Sequence, residues 1–163
     1  MDRGVPIISQ SRAFRGNFEH SITRQGRIIL PSRFREVLSE RQCSRVVMVR
    51  YANRLDVFPE DEWQSQEERY QLLDQNDDRV FAYVQYLQAN QLEADVDAQG
   101  RVLIPPRWRA GLGLEGNLEV VMQGAVTHFQ IWPKARFDES YRQWDEGFAA
   151  NKAYIADLRR NQK

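Results

Sequence analysis

Gln25-Gly26-Arg27-Ile28-Ile29-Leu30-Pro31-Ser32-Arg33-Phe34-Arg35 returns 74 residues later as Gln99-Gly100-Arg101-Val102-Leu103-Ile104-Pro105-Pro106-Arg107-Trp108-Arg109. The register then holds without a gap. Val46-Val47-Met48 falls on Val120-Val121-Met122, and Val57-Phe58-Pro59 on Ile131-Trp132-Pro133. From Ile22 to Trp63 there are 11 identities in 42 positions, where unrelated chains of average composition share roughly two or three. The chain therefore contains a duplicated structural unit whose most exposed shared residues are arginines.

Each unit opens on an apolar, β-branched stretch, Ile22 or Val96, ahead of a Gly-Arg turn where glycine permits a positive φ. The apolar run behind the turn, Ile28 to Leu30 or Val102 to Ile104, reads as a buried strand, and proline stops it. A short helix follows, with Phe34, Val37 and Leu38 on one face and Trp108 and Leu112 as counterparts; Gly111 and Gly113 mark the end of the second helix. Arg33, Arg35, Arg107 and Arg109 fall off that apolar face and are expected in solvent. A second hairpin follows, with turns at Ala52-Asn53-Arg54 and Gly124-Ala125.

After Pro59 the period becomes helical. Trp63, Tyr70 and Leu73 form one stripe and Val80, Phe81, Val84 and Leu87 another, with Asn76-Asp77-Asp78 as break and N-cap. The stripes read as core or as a subunit interface. After Pro133, Phe137, Tyr141, Trp144 and Phe148 again have helical spacing, while the polar residues 149–163 have the composition of a fraying tail.

At 163 residues and 42% hydrophobic content the chain can bury one ordinary core or two small ones. A single cysteine, Cys43, rules out an internal disulfide and suits a reducing compartment. Val5-Pro6-Ile7-Ile8 is far shorter than a signal or membrane segment, so a soluble, cytoplasmic protein is expected. The net charge of zero hides a segregation: residues 1–60 carry +5, residues 61–99 carry −8 and residues 100–163 carry +3. Two basic units joined by an acidic connector can attract a polyanion at one face while the whole chain stays neutral.

Ala13-Phe14-Arg15-Gly16, a hairpin, then Gly-Arg, aliphatic residues, Pro and Arg, all repeated around a two-helix connector, resembles the MraZ family of bacterial transcriptional regulators over about residues 14–148. The resemblance implies a mainly β fold with helices (α+β): two tandem AbrB-like swapped-hairpin units packed as a pseudo-two-fold barrel, each followed by helices. It divides the chain into an N-terminal extension (1–13), a first repeat (14–60), an acidic helical connector (61–91), a second repeat (92–135) and a C-terminal helix and tail (136–163). It also implies a homo-oligomer, a ring, that binds double-stranded DNA at repeated boxes upstream of the division and cell-wall gene cluster and represses it, in the cytoplasm at the nucleoid.

The family signature implied for each repeat is Asp-x-x-x-Arg, usually with Lys before Gly-Arg. The second copy is complete as Asp97 to Arg101, so Arg101 inherits the DNA-contact role. In the first copy Thr23 stands where Asp is expected, beside Arg27, and Gln25 and Gln99 occupy the lysine position; Arg24 is placed to replace the missing cation. Arginine at a turn suits DNA because its planar fork grips phosphate or a guanine edge with two hydrogen bonds. The competing reading is that Arg27 and Arg101 pair with local carboxylates, as Arg101 can with Asp97. For Arg33, Arg35, Arg107 and Arg109 the alternatives are solvated helix charges and contacts to the DNA backbone.

His20 and His128 are not equivalent in the repeat and lack ligand-spaced partners, which argues against a metal site. Cys43 has no histidine motif near it, and the acidic pairs Asp61-Glu62, Glu67-Glu68 and Asp77-Asp78 fit helix first turns and solvent faces better than acid-base catalysis. No nucleophile, metal or phosphate-loop pattern supports an enzyme, and no cofactor or small-molecule substrate is expected. The remaining alternative is a protein-interaction module of antitoxin-like or scaffold type on the same β fold.

Overall fold

The computed structural model describes residues 12–116 and 118–162. Of the expected N-terminal extension only the last two positions fall within them. The chain forms two compact units, one running to Pro133 and containing both repeats, the other starting at Lys134.

The first unit holds β1 (Asn17–Ser21), β2 (Arg27–Ile29), α1 (Ser32–Glu40), β3 (Arg45–Arg50) and β4 (Leu55–Pro59). After α2 (Glu60–Gln71) and α3 (Asp78–Ala89), the pattern recurs as β5 (Gln91–Asp95), β6 (Arg101–Leu103), α4 (Pro106–Leu112), β7 (Glu119–Gly124) and β8 (Phe129–Pro133). All pairings are antiparallel. Six strands run in the order β1-β7-β8-β4-β3-β5, and β2-β6 form a separate two-stranded ribbon.

Exchanging each element for its repeat partner reverses the six-strand order and leaves it otherwise unchanged, so a pseudo-dyad relates the repeats. The dyad crosses the β4–β8 ladder at Asp56↔Gln130 and the ribbon at Ile28↔Val102. The hairpin expected at each Gly-Arg turn closes only at the turn itself. Beyond it β1 pairs with β7 and β5 with β3, so each repeat lends its first strand to the other. This exchange is the swapped hairpin, and it makes the two repeats share one core.

That core gathers Ile28, Leu30, Phe34 and Leu38 with Val102, Ile104, Trp108 and Leu112 under the inward faces of β3, β4, β7 and β8. Phe34 is its aromatic centre, with ring centroids 5.5 Å from Phe14, 5.2 Å from Phe18 and 4.8 Å from Phe129. Pro31 and Pro105 stand at the N-caps of α1 and α4, Pro106 takes the first turn of α4, and Gly113 is the C-cap.

On the outer side of β3 and β4, Val47, Val49 and Phe58 pack with Trp63 and Leu87. Asp77 caps α3 as expected, its carboxylate accepting from the backbone N–H of Arg79 and Val80. The two expected stripes are only partly buried: Trp63 and Leu87 are, whereas Leu73 and Phe81 face solvent. Trp63 opens α2 and Leu87 closes α3, which are the ends next to the sheet; Leu73 and Phe81 lie at the far turn.

Two further expectations are corrected. Ile29 and Leu103 are about half exposed, at 48% and 49%, because a two-stranded ribbon buries alternate residues on one face only. The second unit is one helix, α5 (Lys134–Asn161), so residues 149–161 continue the helix where a polar tail was expected; alanine, leucine, lysine and arginine there are strong helix formers.

Candidate nucleic-acid interface

The ribbon β2–β6 is the one place where the dyad brings the two signature arginines together. Arg27 lies opposite Leu103 and Arg101 opposite Ile29. With Ile28 and Val102 buried at 1%, the outward face is a square of two arginines on one diagonal and two aliphatic side chains on the other. Diagonal neighbours in such a ladder stand roughly 7–8 Å apart.

Each arginine is fixed by the turn before it. In the second repeat Asp97 N–H donates to Arg101 O at 3.0 Å and Gly100 N–H to Asp97 O at 2.9 Å; in the first, Thr23 N–H donates to Arg27 O at 2.8 Å and Gly26 N–H to Thr23 O at 2.9 Å. The side chains repeat the pattern. Arg101 N–H donates to Asp97 Oδ1 at 2.9 Å, and Arg27 N–H to Thr23 Oγ1 at 3.0 Å. Threonine thus keeps the turn that aspartate makes.

It does not keep the charge pair. Asp97 also accepts from Gln99 N–H at 2.9 Å and, through Oδ2, from Arg101 Nε at 2.9 Å. The backbone N–H of Arg101 is the largest influence on the Asp97 carboxyl; desolvation opposes it, and the Arg101 guanidinium and the N–H of Gln99 add to the lowering, so that the group is held below the usual carboxylate range. Arg101 is therefore half-buried and aimed by Asp97, whereas Arg27 is exposed and has no ion pair among the described residues.

The glycine turns are braced across the dyad. Leu30 N–H donates to Gly100 O at 2.9 Å and Ile104 N–H to Gly26 O at 2.8 Å, so each turn is tied to the chain leaving the other ribbon strand. Both glycines are buried, with φ of +90° at Gly26 and +76° at Gly100. Arg109 crosses over Gly26, donating from Nε to Ile104 O at 3.1 Å and from Nη1 to Arg24 O at 2.8 Å. Its counterpart Arg35 lies over Gly100. The expectation that all four helix arginines stand in solvent is thus corrected for Arg109, which is half-buried and holds the turn that carries Arg24. Arg24 and Arg107 are exposed, and Arg33, also exposed, forms a loose pair with Glu36 at 3.8 Å.

A second polar cluster lies where the dyad crosses β4–β8. Asp56, only 5% exposed, accepts from Arg54 Nε at 2.8 Å and lies 3.6 Å from His128 Nε2. The His128 ring stacks on Phe58 at 4.3 Å, and the Arg54 guanidinium lies over Tyr51 at 4.7 Å and Trp132 at 5.4 Å. Burial, with help from Asp56, pushes the Tyr51 phenol up to about 12. A buried carboxylate is tolerable only when paired in this way. The sequence hid the cluster because its members come from different repeats. Ile29 and Leu103, by contrast, were recoverable: strict alternation around Ile28 and Val102 puts them beside the arginines.

The MraZ family profile, described as "MraZ protein, putative antitoxin-like", matches residues 13–83 and 87–159. The chain belongs to the MraZ family. Among curated MraZ relatives, the protein named transcriptional regulator MraZ of Pediococcus pentosaceus is 37% identical over 136 residues, covering 83% of this chain and 91% of the relative. That of Acetivibrio thermocellus is 35% identical over 137 residues, covering 84% and 91%, and that of Desulforamulus reducens 34% over 145 residues, covering 89% and 99%. MraZ is thus a family of transcriptional regulators and not an enzyme family. No helix among the described residues is long and apolar enough to cross a membrane, and none of them form a cluster of three or more metal-ligating side chains.

Proposed function

We propose that this chain represses transcription by laying the β2–β6 ribbon in the major groove of double-stranded DNA, with Arg27 and Arg101 as the central contacts. The observation that carries the reading is their dyad-related placement on the outward face of the ribbon. A two-stranded ribbon fits the major groove, where arginine reads guanine O6 and N7 and aliphatic groups meet thymine methyls. Ile29 and Leu103 supply those aliphatic groups between the arginines.

Asp97 orients Arg101, while Arg27, facing solvent without a carboxylate, grips less selectively. Arg24, Arg33, Arg35 and Arg107 add phosphate contacts that set the register of the protein on the duplex. Arg109 contributes by holding the Arg24 turn. The repeats at 14–60 and 92–135 act as one reading head, and the acidic connector 61–91 stays off the DNA.

One such head is small, so strong binding needs several subunits on spaced boxes, each raising the effective concentration of the next. A closed ring provides them, and the exposed Leu72, Leu73 and Phe81 at the far turn of α2 and α3, with Tyr83 and Tyr86 further along α3, supply apolar surface for a neighbouring subunit. The targets, from the family resemblance, are repeated boxes upstream of the division and cell-wall genes, with the protein in the cytoplasm at the nucleoid. Footprinting of the purified protein on the DNA upstream of its own gene tests the reading. Protection of evenly spaced boxes is expected; uniform or absent protection contradicts it.

A further inference from the structure

The 28-residue α5 carries a pattern that DNA reading does not use. Starting from the buried Phe137, the positions Tyr141, Trp144, Phe148, Asn151, Ile155 and Leu158 follow at alternating steps of four and three, without a slip. The five apolar side chains after Phe137 on this seam are 39% to 64% exposed. A stripe spaced at 3.5 residues is matched by another helix packing knobs into holes.

The flanking charges select which helix. Along one flank, at seven-residue intervals, stand Asp138, Asp145, Lys152 and Arg159, two acids followed by two bases; the other flank carries Ser140, Gly147, Tyr154 and Asn161 and no charge. In a parallel pair the charged flank of one helix would meet the uncharged flank of the other. In an antiparallel pair it meets itself, with Asp145 beside Lys152 and Asp138 beside Arg159 of the second copy. Asp138 also pairs with Lys134 at 3.3 Å within its own helix, which leaves Asp145–Lys152 as the cleaner pair.

We infer that α5 docks antiparallel against α5 of a second copy of this chain. Tyr141 then packs against Leu158, Trp144 against Ile155, and Phe148 against Asn151 of that copy. The two Asn151 amides fall on either side of the new two-fold axis, where a polar residue fixes the register of a coiled coil. This contact is isologous and pairs subunits two by two. It differs from the head-to-tail contacts that close a ring and does not depend on the DNA reading.

The test is the mass of the full-length protein by sedimentation equilibrium over a range of concentrations. Phe148→Glu places a charge in the seam and raises the dissociation constant for pairing by about a hundredfold or more, halving the mass at concentrations where wild type is paired. The side chain is exposed in the single chain, so helix content by circular dichroism stays at the wild-type level. Asp145→Lys sets lysines against each other and weakens pairing severalfold, and Asp145→Lys with Lys152→Asp restores it. Unchanged pairing in Phe148→Glu overturns the proposal, as does failure of the double charge reversal to rescue. Arg101→Ala, which probes the DNA contact, keeps the wild-type mass, so the two readings fail separately.

Discussion

Gly26→Ala destabilises the fold by more than Gly100→Ala, although the two glycines are equivalent in the repeat. At either position an alanine must hold a left-handed backbone, which costs about 1–2 kcal/mol. At position 100 the nearest atoms to the new methyl all belong to the side chain of the exposed Arg35, which can swing to another rotamer, so the total stays near about 1–2 kcal/mol. At position 26 it would stand 2.7 Å from both Arg109 Nε and the backbone oxygen of Ile104. The carbonyl cannot swing away, because it belongs to the chain whose N–H is bonded to Gly26 itself. Relieving the clash breaks the two Arg109 hydrogen bonds, each worth about 1 kcal/mol. The sum for Gly26→Ala is about 3–4 kcal/mol, and the difference of about 2 kcal/mol is roughly a 30-fold change in the folded-to-unfolded ratio. Urea unfolding of both variants at one fixed chain concentration measures it through the midpoint and slope. Equal losses, or a larger loss for Gly100→Ala, would refute the claim that Arg109 and Ile104 clamp the first turn.

The two signature turns also separate by pH. The Asp97 carboxyl is held low in the folded state, so its contribution is present above the ordinary carboxylate pKa of about 4 and is lost as pH falls through the depressed value. The Arg101 amide and Nε–H resonances are expected to shift only below about pH 4, with no such step for Arg27 or in Asp97→Asn; a midpoint at or above that of a free carboxylate contradicts the assignment. Phe34→Ala removes the aromatic centre of the shared core and is expected to destabilise by about 3–5 kcal/mol, read as a large drop in melting temperature. A loss below about 1 kcal/mol would mean the cluster of Phe14, Phe18, Phe34 and Phe129 does not hold the repeats together.

The repeat was legible because its glycines, prolines and aliphatic positions are local instructions for turn, strand end and helix start. The 74-residue offset carries through to the ladders: Asn17↔Gln123 in β1–β7 has its counterpart in Gln91↔Val49 of β5–β3. What hairpin-turn chemistry could not give is that the flanking strands part company after the turn, since Gly26 and Gly100 specify only a reversal of direction. The exchange of strands came from the family resemblance. Arg109 looked like Arg35, Arg33 and Arg107 because helical spacing fixes a face and not the carbonyls it meets, here Ile104 O and Arg24 O. The pairing of Asp56 with Arg54 and His128 was equally out of reach. His128 sits 72 positions away in sequence and beside Asp56 only because β4 and β8 are neighbours at the dyad. In the candidate site the Asp97–Arg101 spacing let the sequence pair these two residues, and they form an ion pair at 2.9 Å; beside Arg27, Thr23 preserves the turn and not the charge pair.

The central claim is that Arg27 and Arg101 grip DNA from one ribbon face. The direct measurement is the salt dependence of binding to the upstream fragment for wild type, Arg27→Ala, Arg101→Ala and the double variant. Each single variant is expected to lose about 1–3 kcal/mol, roughly 5- to 150-fold in affinity, with Arg101→Ala relaxing sequence preference the more. Where the lost contact was to phosphate, the log-log salt slope falls by about 0.9. A double variant with wild-type affinity and wild-type slope would contradict the account.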